Sequence, residues 1–153
     1  MAVRGVARSP RPGKMFGTTR VSAGGERRGM TATSVEAERE YDDRRFTARE
    51  VSRTERSKTV CGYFEPDQFI PVHAPDSDVT IVVQSGEGVV RDGGEERAVS
   101  PGSVVAVPAG EDRGVRADGT RLEAVLVTAP PPTDEEHGPV RRGLKAGTFD
   151  PDG

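Results

Sequence analysis

The stretch 101–110, "PGSVVAVPAG", contains the pattern that decides the fold. Pro101 and Gly102 precede a run of apolar, mostly β-branched residues, and Pro108 and Gly110 follow it. A short apolar run between turn-forming residues predicts a buried strand, because it is too short for an ordinary helix and its ends favour turns.

Similar segments recur on both sides of this strand. They lie at 45–53, 58–65, 78–84, 88–92, 95–100, 113–117 and 120–128. Gly93–Gly94 predicts a hairpin between 88–92 and 95–100, and Asp118–Gly119 predicts a second hairpin between 113–117 and 120–128. Short strands at this spacing, with no helix between them, predict an all-β antiparallel sandwich or barrel.

The composition limits the class of protein. The chain has 153 residues, 33% of them hydrophobic, with 19 Gly and 12 Pro, which suits one domain of short strands. No apolar run approaches the length of a membrane span, and Met1–Arg28 lacks the apolar stretch of a secretory signal, so we expect a cytoplasmic protein. A single cysteine, Cys61, excludes an internal disulfide and a multi-cysteine zinc site.

The charges are unevenly distributed. Residues 1–30 contain seven basic residues and one acidic residue, whereas the remainder contains 15 basic and 24 acidic residues. An acidic surface on the main part of the chain opposes nucleic-acid binding. Arg outnumbers Lys by 19 to three, which fits a salt-adapted, halophilic-like surface or, equally, a GC-rich genome.

These patterns divide the chain into three parts. Residues 1–35 are predicted to be a disordered basic segment; a translation start at Met30 and an arm that contacts phosphates are alternatives. Residues 36–130 form the predicted β-barrel, with a helical turn within 34–46 before the first strand. Residues 131–153 form a tail with one short helical turn around 140–145.

Two spacings carry a family resemblance. From Gly102, five residues lead to Pro108, and Gly110 and Arg113 follow. Earlier in the chain His73 lies 13 residues before Gly86. These spacings resemble the two motifs of the cupin superfamily, in which one motif has a His-x-His pair, a glutamate and a glycine, and the other has glycine, Pro-x-Gly and a histidine.

The resemblance covers about residues 58–128 and implies a double-stranded β-helix, or jelly-roll barrel. It also implies a homodimer and a divalent metal ion held by three histidines and one carboxylate inside the barrel. Of those four positions this sequence keeps His73, whereas Pro75, Val79 and Arg113 occupy the other three. The metal-binding motifs are therefore degenerate.

Strand alternation predicts what replaces the metal. We expect His73 to begin the strand at 78–84. Alternate residues of a strand face the same side, so Pro75, Val79 and Ile81 should share the inward face with His73. Arg113 should point at His73 across the barrel mouth. A guanidinium repels cations and binds carboxylates, so these five residues predict a site for a small anionic organic ligand without a tightly bound metal.

Two alternatives stay open, and the sequence leaves enzymatic activity undecided. In the first, His73 and rim carboxylates bind a divalent metal in a dioxygenase or in a sugar or keto-acid isomerase. In the second, the barrel is closed and structural, with Arg113 paired to Asp76, Asp78 or Asp112. Among the remaining polar residues we expect Cys61 to be structural, His137 to be solvated, and Glu87 and Glu123 to lie on the surface.

Overall fold

The computed structural model describes residues 31–150, in which nine strands precede a C-terminal helix. The strands are β1 (Thr47–Arg53), β2 (Lys58–Phe64), β3 (Phe69–His73), β4 (Asp78–Ser85), β5 (Gly88–Asp92), β6 (Glu95–Val99), β7 (Val104–Val107), β8 (Arg113–Ala117) and β9 (Leu122–Ala129). A 3₁₀ turn (Glu135–His137) leads into helix α1 (Gly138–Ala146). The predicted helical turn before the first strand is present at 35–38. Most of the predicted disordered segment, residues 1–30, lies outside the described residues.

The strands form two antiparallel sheets that pack face to face. The larger sheet has the order β1-β2-β9-β4-β7 and the smaller has the order β3-β8-β5-β6. From β2 onward the chain changes sheet at every connection except the β5–β6 hairpin, which is the topology of a jelly roll. The all-β jelly-roll prediction is confirmed.

One of the two predicted hairpins is wrong. β5 and β6 do pair around Gly93–Gly94. However, β8 pairs with β3 and β5, whereas β9 pairs with β2 and β4 in the other sheet. Both strands carry apolar inner faces, for example Val115 and Leu122. Facing sheets bury these two faces against each other, so the Asp-Gly turn joins the sheets instead of closing a hairpin.

His73 lies at the end of β3, which the sequence did not predict as a strand distinct from 78–84. It is the last residue of β3 in the smaller sheet, and residues 74–77 cross to β4 in the larger one. The expectation that His73 begins the 78–84 strand is therefore wrong. Pro75 lies in this crossing, where its missing N–H leaves no gap in a strand ladder.

The C-terminal tail is docked on the barrel. The Val72 N–H donates to the Phe149 carbonyl at 2.7 Å, and the Phe149 ring packs edge-on against Phe69 with centroids 5.9 Å apart. Gly143 approaches Pro71 so closely that a Cβ there would lie 2.5 Å from the proline Cβ. The short helical turn expected around 140–145 lies within α1, and both α1 and Phe149 are packed parts of the fold. No helix in the described part of the chain is long and apolar enough to cross a membrane.

Candidate functional site

A cavity of about 160 Å³ lies between the two sheets at one end of the barrel. All five residues predicted for the ligand site line it: His73, Pro75, Val79, Ile81 and Arg113. The structure therefore brings together the residues that the sequence grouped. Their binding of a ligand stays a prediction.

The deep part of the cavity is apolar. Strand register places Val60, Leu126 and Ile81 in one row across β2, β9 and β4. Ile70 and Val115 form the opposing pair on β3 and β8. These five aliphatic side chains offer apolar contacts and no hydrogen-bonding groups to anything that enters.

The outer part of the cavity carries the polar groups. A second row across β2, β9 and β4 consists of Lys58, Thr128 and Val79. On the smaller sheet His73 pairs in register with Arg113. The two residues are thus neighbours on adjacent strands, and the expectation that Arg113 faces His73 across the mouth is wrong.

Arg113 is buried without an acidic partner. The residue is 5% exposed, and no carboxylate of residues 31–150 lies within 4 Å of its guanidinium. Nη2 donates to the Pro108 carbonyl at 2.9 Å, whereas Nη1 has no hydrogen-bond partner. Burial lowers the pKa of Arg113, although the more distant charges of Asp78 and Glu136 raise it. The guanidinium is thus a desolvated cation with an unused donor.

The closed-barrel alternative pairs Arg113 with Asp76, Asp78 or Asp112. Asp78 accepts the backbone N–H of Ala109 at 2.9 Å, and Asp112 lies 3.7 Å from Arg91. The backbone N–H of Asp76 donates to Glu136 at 2.8 Å. The Arg113–Asp ion pair of that alternative is therefore absent among residues 31–150.

His73 has a defined orientation. Its Nδ1 lies 2.8 Å from the Pro71 carbonyl oxygen, which can only accept, so Nδ1 carries the proton and the neutral ring has its lone pair on Nε2. Burial and then the Arg113 charge lower the pKa of His73, although the hydrogen bond to Pro71 raises it. The net shift favours the neutral imidazole.

The docked tail contributes three further lining residues: Pro132, His137 and Val140. The expectation that His137 is solvated is wrong, because the 3₁₀ turn places it against the cavity. Burial, followed by the charges of Lys58 and Arg141, lowers the pKa of His137. The polar sequence "TDEEHG" gives no sign that His137 lines the cavity, because this position depends on how α1 packs on β3.

The lining residues do not fit the metal site that the resemblance implies. Two histidines are present, but Pro75 and Val79 offer no ligand atom and Arg113 adds a positive charge. In the described part of the chain, no group of three or more His, Cys, Asp or Glu residues is placed to hold a metal ion. Firm binding of a transition metal takes about three protein ligands.

Glu123 lies away from the cavity and corrects a surface expectation. It is 5% exposed on the outer face of the larger sheet, where Arg39 Nε and the Tyr41 hydroxyl each donate to it at 2.6 Å. Burial alone raises the pKa of Glu123, but these hydrogen bonds outweigh burial and hold it below its usual range. Through these hydrogen bonds the segment 31–45 packs on the outer face of the larger sheet.

The other two expectations agree with the structure. Cys61 is buried beside Tyr63, and burial raises the pKa of its thiol, which suits a structural residue. Glu87 is exposed.

Comparisons with known proteins support the fold and the family. The model of the Cupin domain matches residues 63–130. A crystal structure of TT1209 from Thermus thermophilus is 30% identical with a TM-score of 0.65, and the match covers 67% of this chain and 100% of that one. An RmlC-like cupin from Desulfovibrio desulfuricans is 29% identical with a TM-score of 0.61, covering 67% and 99% of the two chains.

A third solved structure agrees with these two. A conserved protein of Klebsiella pneumoniae with a double-stranded beta-helix domain is 25% identical with a TM-score of 0.62, and the match covers 67% of this chain and 91% of that one. No curated protein matches the sequence. The motif spacings, the jelly-roll topology and these matches establish that the chain belongs to the cupin superfamily.

Proposed function

We propose that this protein binds a small organic anion in the cavity, with Arg113 as the anion-binding group and without a tightly bound metal. The observation that carries the proposal is the buried guanidinium of Arg113, which has no acidic partner among the described residues and whose Nη1 has no hydrogen-bond partner. Leaving a buried donor unsatisfied costs roughly 1–3 kcal/mol, more for a charged group, and a bound carboxylate removes that cost. A carboxylate also matches the fork geometry of a guanidinium.

The lining supports an anion over a cation. None of the described residues that line the cavity is an aspartate or glutamate, whereas Arg113 and Lys58 carry positive charge. Three side-chain polar atoms in residues 31–150 are buried without a partner, and two of them, Arg113 Nη1 and Thr128 Oγ1, belong to lining residues. Ligand oxygens that reach these two atoms would satisfy them.

The size and the deep apolar layer narrow the ligand class. A dry cavity of about 150 Å³ lined by aliphatic side chains is large enough for benzene, whereas drug-sized ligands take about 300 Å³ or more. We therefore favour an acid with one carboxylate and a compact apolar body. Benzoate is a suitable probe.

The test is a thermal shift with benzoate against the neutral isostere benzamide. Benzoate should raise the melting temperature of the full chain, benzamide should not, and Arg113→Met should abolish the benzoate shift. Arg116→Met is the matched control, because Arg116 lies on the same strand but contacts Phe149 outside the cavity. A benzoate shift that persists in Arg113→Met would contradict the proposal, as would no shift in the native protein with benzoate, acetate or phosphate.

A further inference from the structure

Lys58 is, among the described residues that line the cavity, the one with a nucleophilic amine, and anion binding by Arg113 does not require it. It begins β2 in register with Thr128 of β9, and Thr128 is in turn in register with Val79 of β4. All three side chains line the cavity. Among residues 31–150, the ammonium makes no ion pair and no side-chain hydrogen bond. It therefore lies in the site without a structural partner.

The surroundings make the free amine of Lys58 easier to form than that of an exposed lysine. Burial and then the charge of Arg53 lower the pKa of Lys58, although Glu50 raises it. Lysines desolvated next to another cation are the ones that act as nucleophiles toward carbonyl groups. His137, whose own pKa is lowered in part by the Lys58 charge, also lines the cavity.

Lys58 and Arg113 come from opposite walls. β2 belongs to the larger sheet and β8 to the smaller one, and packed sheets lie about 10 Å apart. Both side chains line the same cavity, so a small ligand that fills it can contact the two of them. A carbonyl next to a carboxylate would use both residues, with the carboxylate at Arg113 and the carbonyl carbon at Lys58.

We propose that Lys58 forms an imine with a small 2-oxo acid whose carboxylate is bound by Arg113, an inference that rests on the proposed function. The neutral Nζ attacks the carbonyl carbon, forming the C–N bond, and the carbonyl oxygen takes one amine proton to give a carbinolamine. The second amine proton and the hydroxyl group then leave as water, and the C=N bond forms. No oxidant or reductant is consumed, and the deep apolar layer holds the rest of the ligand.

The test is reductive trapping on the full chain with phenylglyoxylate and cyanoborohydride, followed by mass spectrometry of peptides. The sequence has three lysines, Lys14, Lys58 and Lys145, so the labelled position is easily assigned. We expect one adduct per chain at Lys58, none after Lys58→Arg, and unchanged labelling after the control Lys145→Arg. Labelling of Lys145, Lys14 or the N-terminal amine as readily as Lys58 overturns the proposal.

Two further arms separate this proposal from the proposed function. Arg113→Met should slow the labelling by phenylglyoxylate about tenfold or more, but leave labelling by benzaldehyde, which has no carboxylate, unchanged. Equal rates with phenylglyoxylate in the native protein and in Arg113→Met overturn the two-point geometry. If benzoate shifts the melting temperature of the native protein but phenylglyoxylate leaves no adduct at Lys58, the imine proposal fails and anion binding stands. If benzoate does not bind at all, the proposed function itself fails.

Discussion

The turn glycines of the two motifs are kept in this molecule, whereas most of the metal-ligand positions of the same motifs are occupied by other residue types. Gly86, Gly102 and Gly110 keep their motif positions, and each has φ between +85° and +94°. Pro75 and Arg113, by contrast, replace metal-ligand residues while still lining the cavity. The positive φ values of the turns favour glycine. The fold requires of the cavity residues only that they pack, so their residue types can change. The fold and the chemistry of this protein therefore rest on separate sets of residues.

Gly86→Ala should produce the largest effect. A Cβ at this position would lie 1.8 Å from the Arg121 carbonyl oxygen, and φ is +85°. Since backbone must move on both sides of the turn, we expect a loss of about 4 kcal/mol or more in the free energy of unfolding, or failure to fold. Urea unfolding of the variant measures the loss.

Gly102→Ala is the matched control for this prediction. Its φ is +94°, but a Cβ there would meet nothing within 4 Å. The loss should therefore reflect backbone strain alone, about 1–2 kcal/mol. Equal losses in the two variants would show that the close approach to Arg121 does not matter.

The second prediction tests whether the framework still supports a metal site. Pro75→His, Val79→Glu and Arg113→His, combined with the native His73, restore the four ligand positions that the resemblance implies. Because the turns and the register are in place, we expect about one divalent metal per chain in the triple variant after purification without chelator, measured by elemental analysis.

The native protein and a quadruple variant with His73→Ala are the references. Both should contain far less than one metal per chain. Stoichiometric metal in the native protein, lost in His73→Ala, would instead favour the alternative in which rim carboxylates complete a metal site for an enzyme. A triple variant that folds but binds no metal would show that restoring the four residue types does not restore the geometry of a metal site.

The same division explains what could be predicted from the sequence. Gly, Pro and the apolar runs identified most of the strands, since local sterics and burial decide them. The cavity residues were grouped correctly although His73 and Val79 lie on strands of different sheets, because both motifs return to one end of the barrel. The β8–β9 connection was mistaken for a hairpin, because a two-residue Asp-Gly turn does not specify whether the next strand stays in the sheet.

Long-range packing decided the rest. His137 reaches the cavity because α1 docks on β3, and Glu123 is buried because Arg39 and Tyr41 fold over the larger sheet. These contacts join residues about 60–80 positions apart, and no local pattern indicates them. The homodimer, the cytoplasmic location and the salt-adapted surface stay predictions.

The smallest expected effect is a pH dependence of stability from the two cavity histidines. Burial lowers the pKa of both His73 and His137, so below the ordinary value of about 6.5 the unfolded chain takes up protons before the folded chain. Stability from these groups is therefore complete above about pH 6.5 and is lost as the pH falls toward their folded pKa values. The loss is at most about 1.4 kcal/mol per pH unit for each histidine, measured by urea unfolding between pH 7.5 and 5.

His73→Asn should flatten this dependence, because asparagine does not titrate. Carboxylates such as Glu123, whose pKa lies below its usual range, lose their contribution only at lower pH and do not interfere in this window. Benzoate should bind more tightly only below the folded pKa values, where the imidazoles of the folded protein gain positive charge in the cavity. A pH profile unchanged in His73→Asn would show that the lining does not hold this imidazole neutral. It would then be wrong that the turn glycines determine the fold while the cavity residues determine the pH dependence of stability.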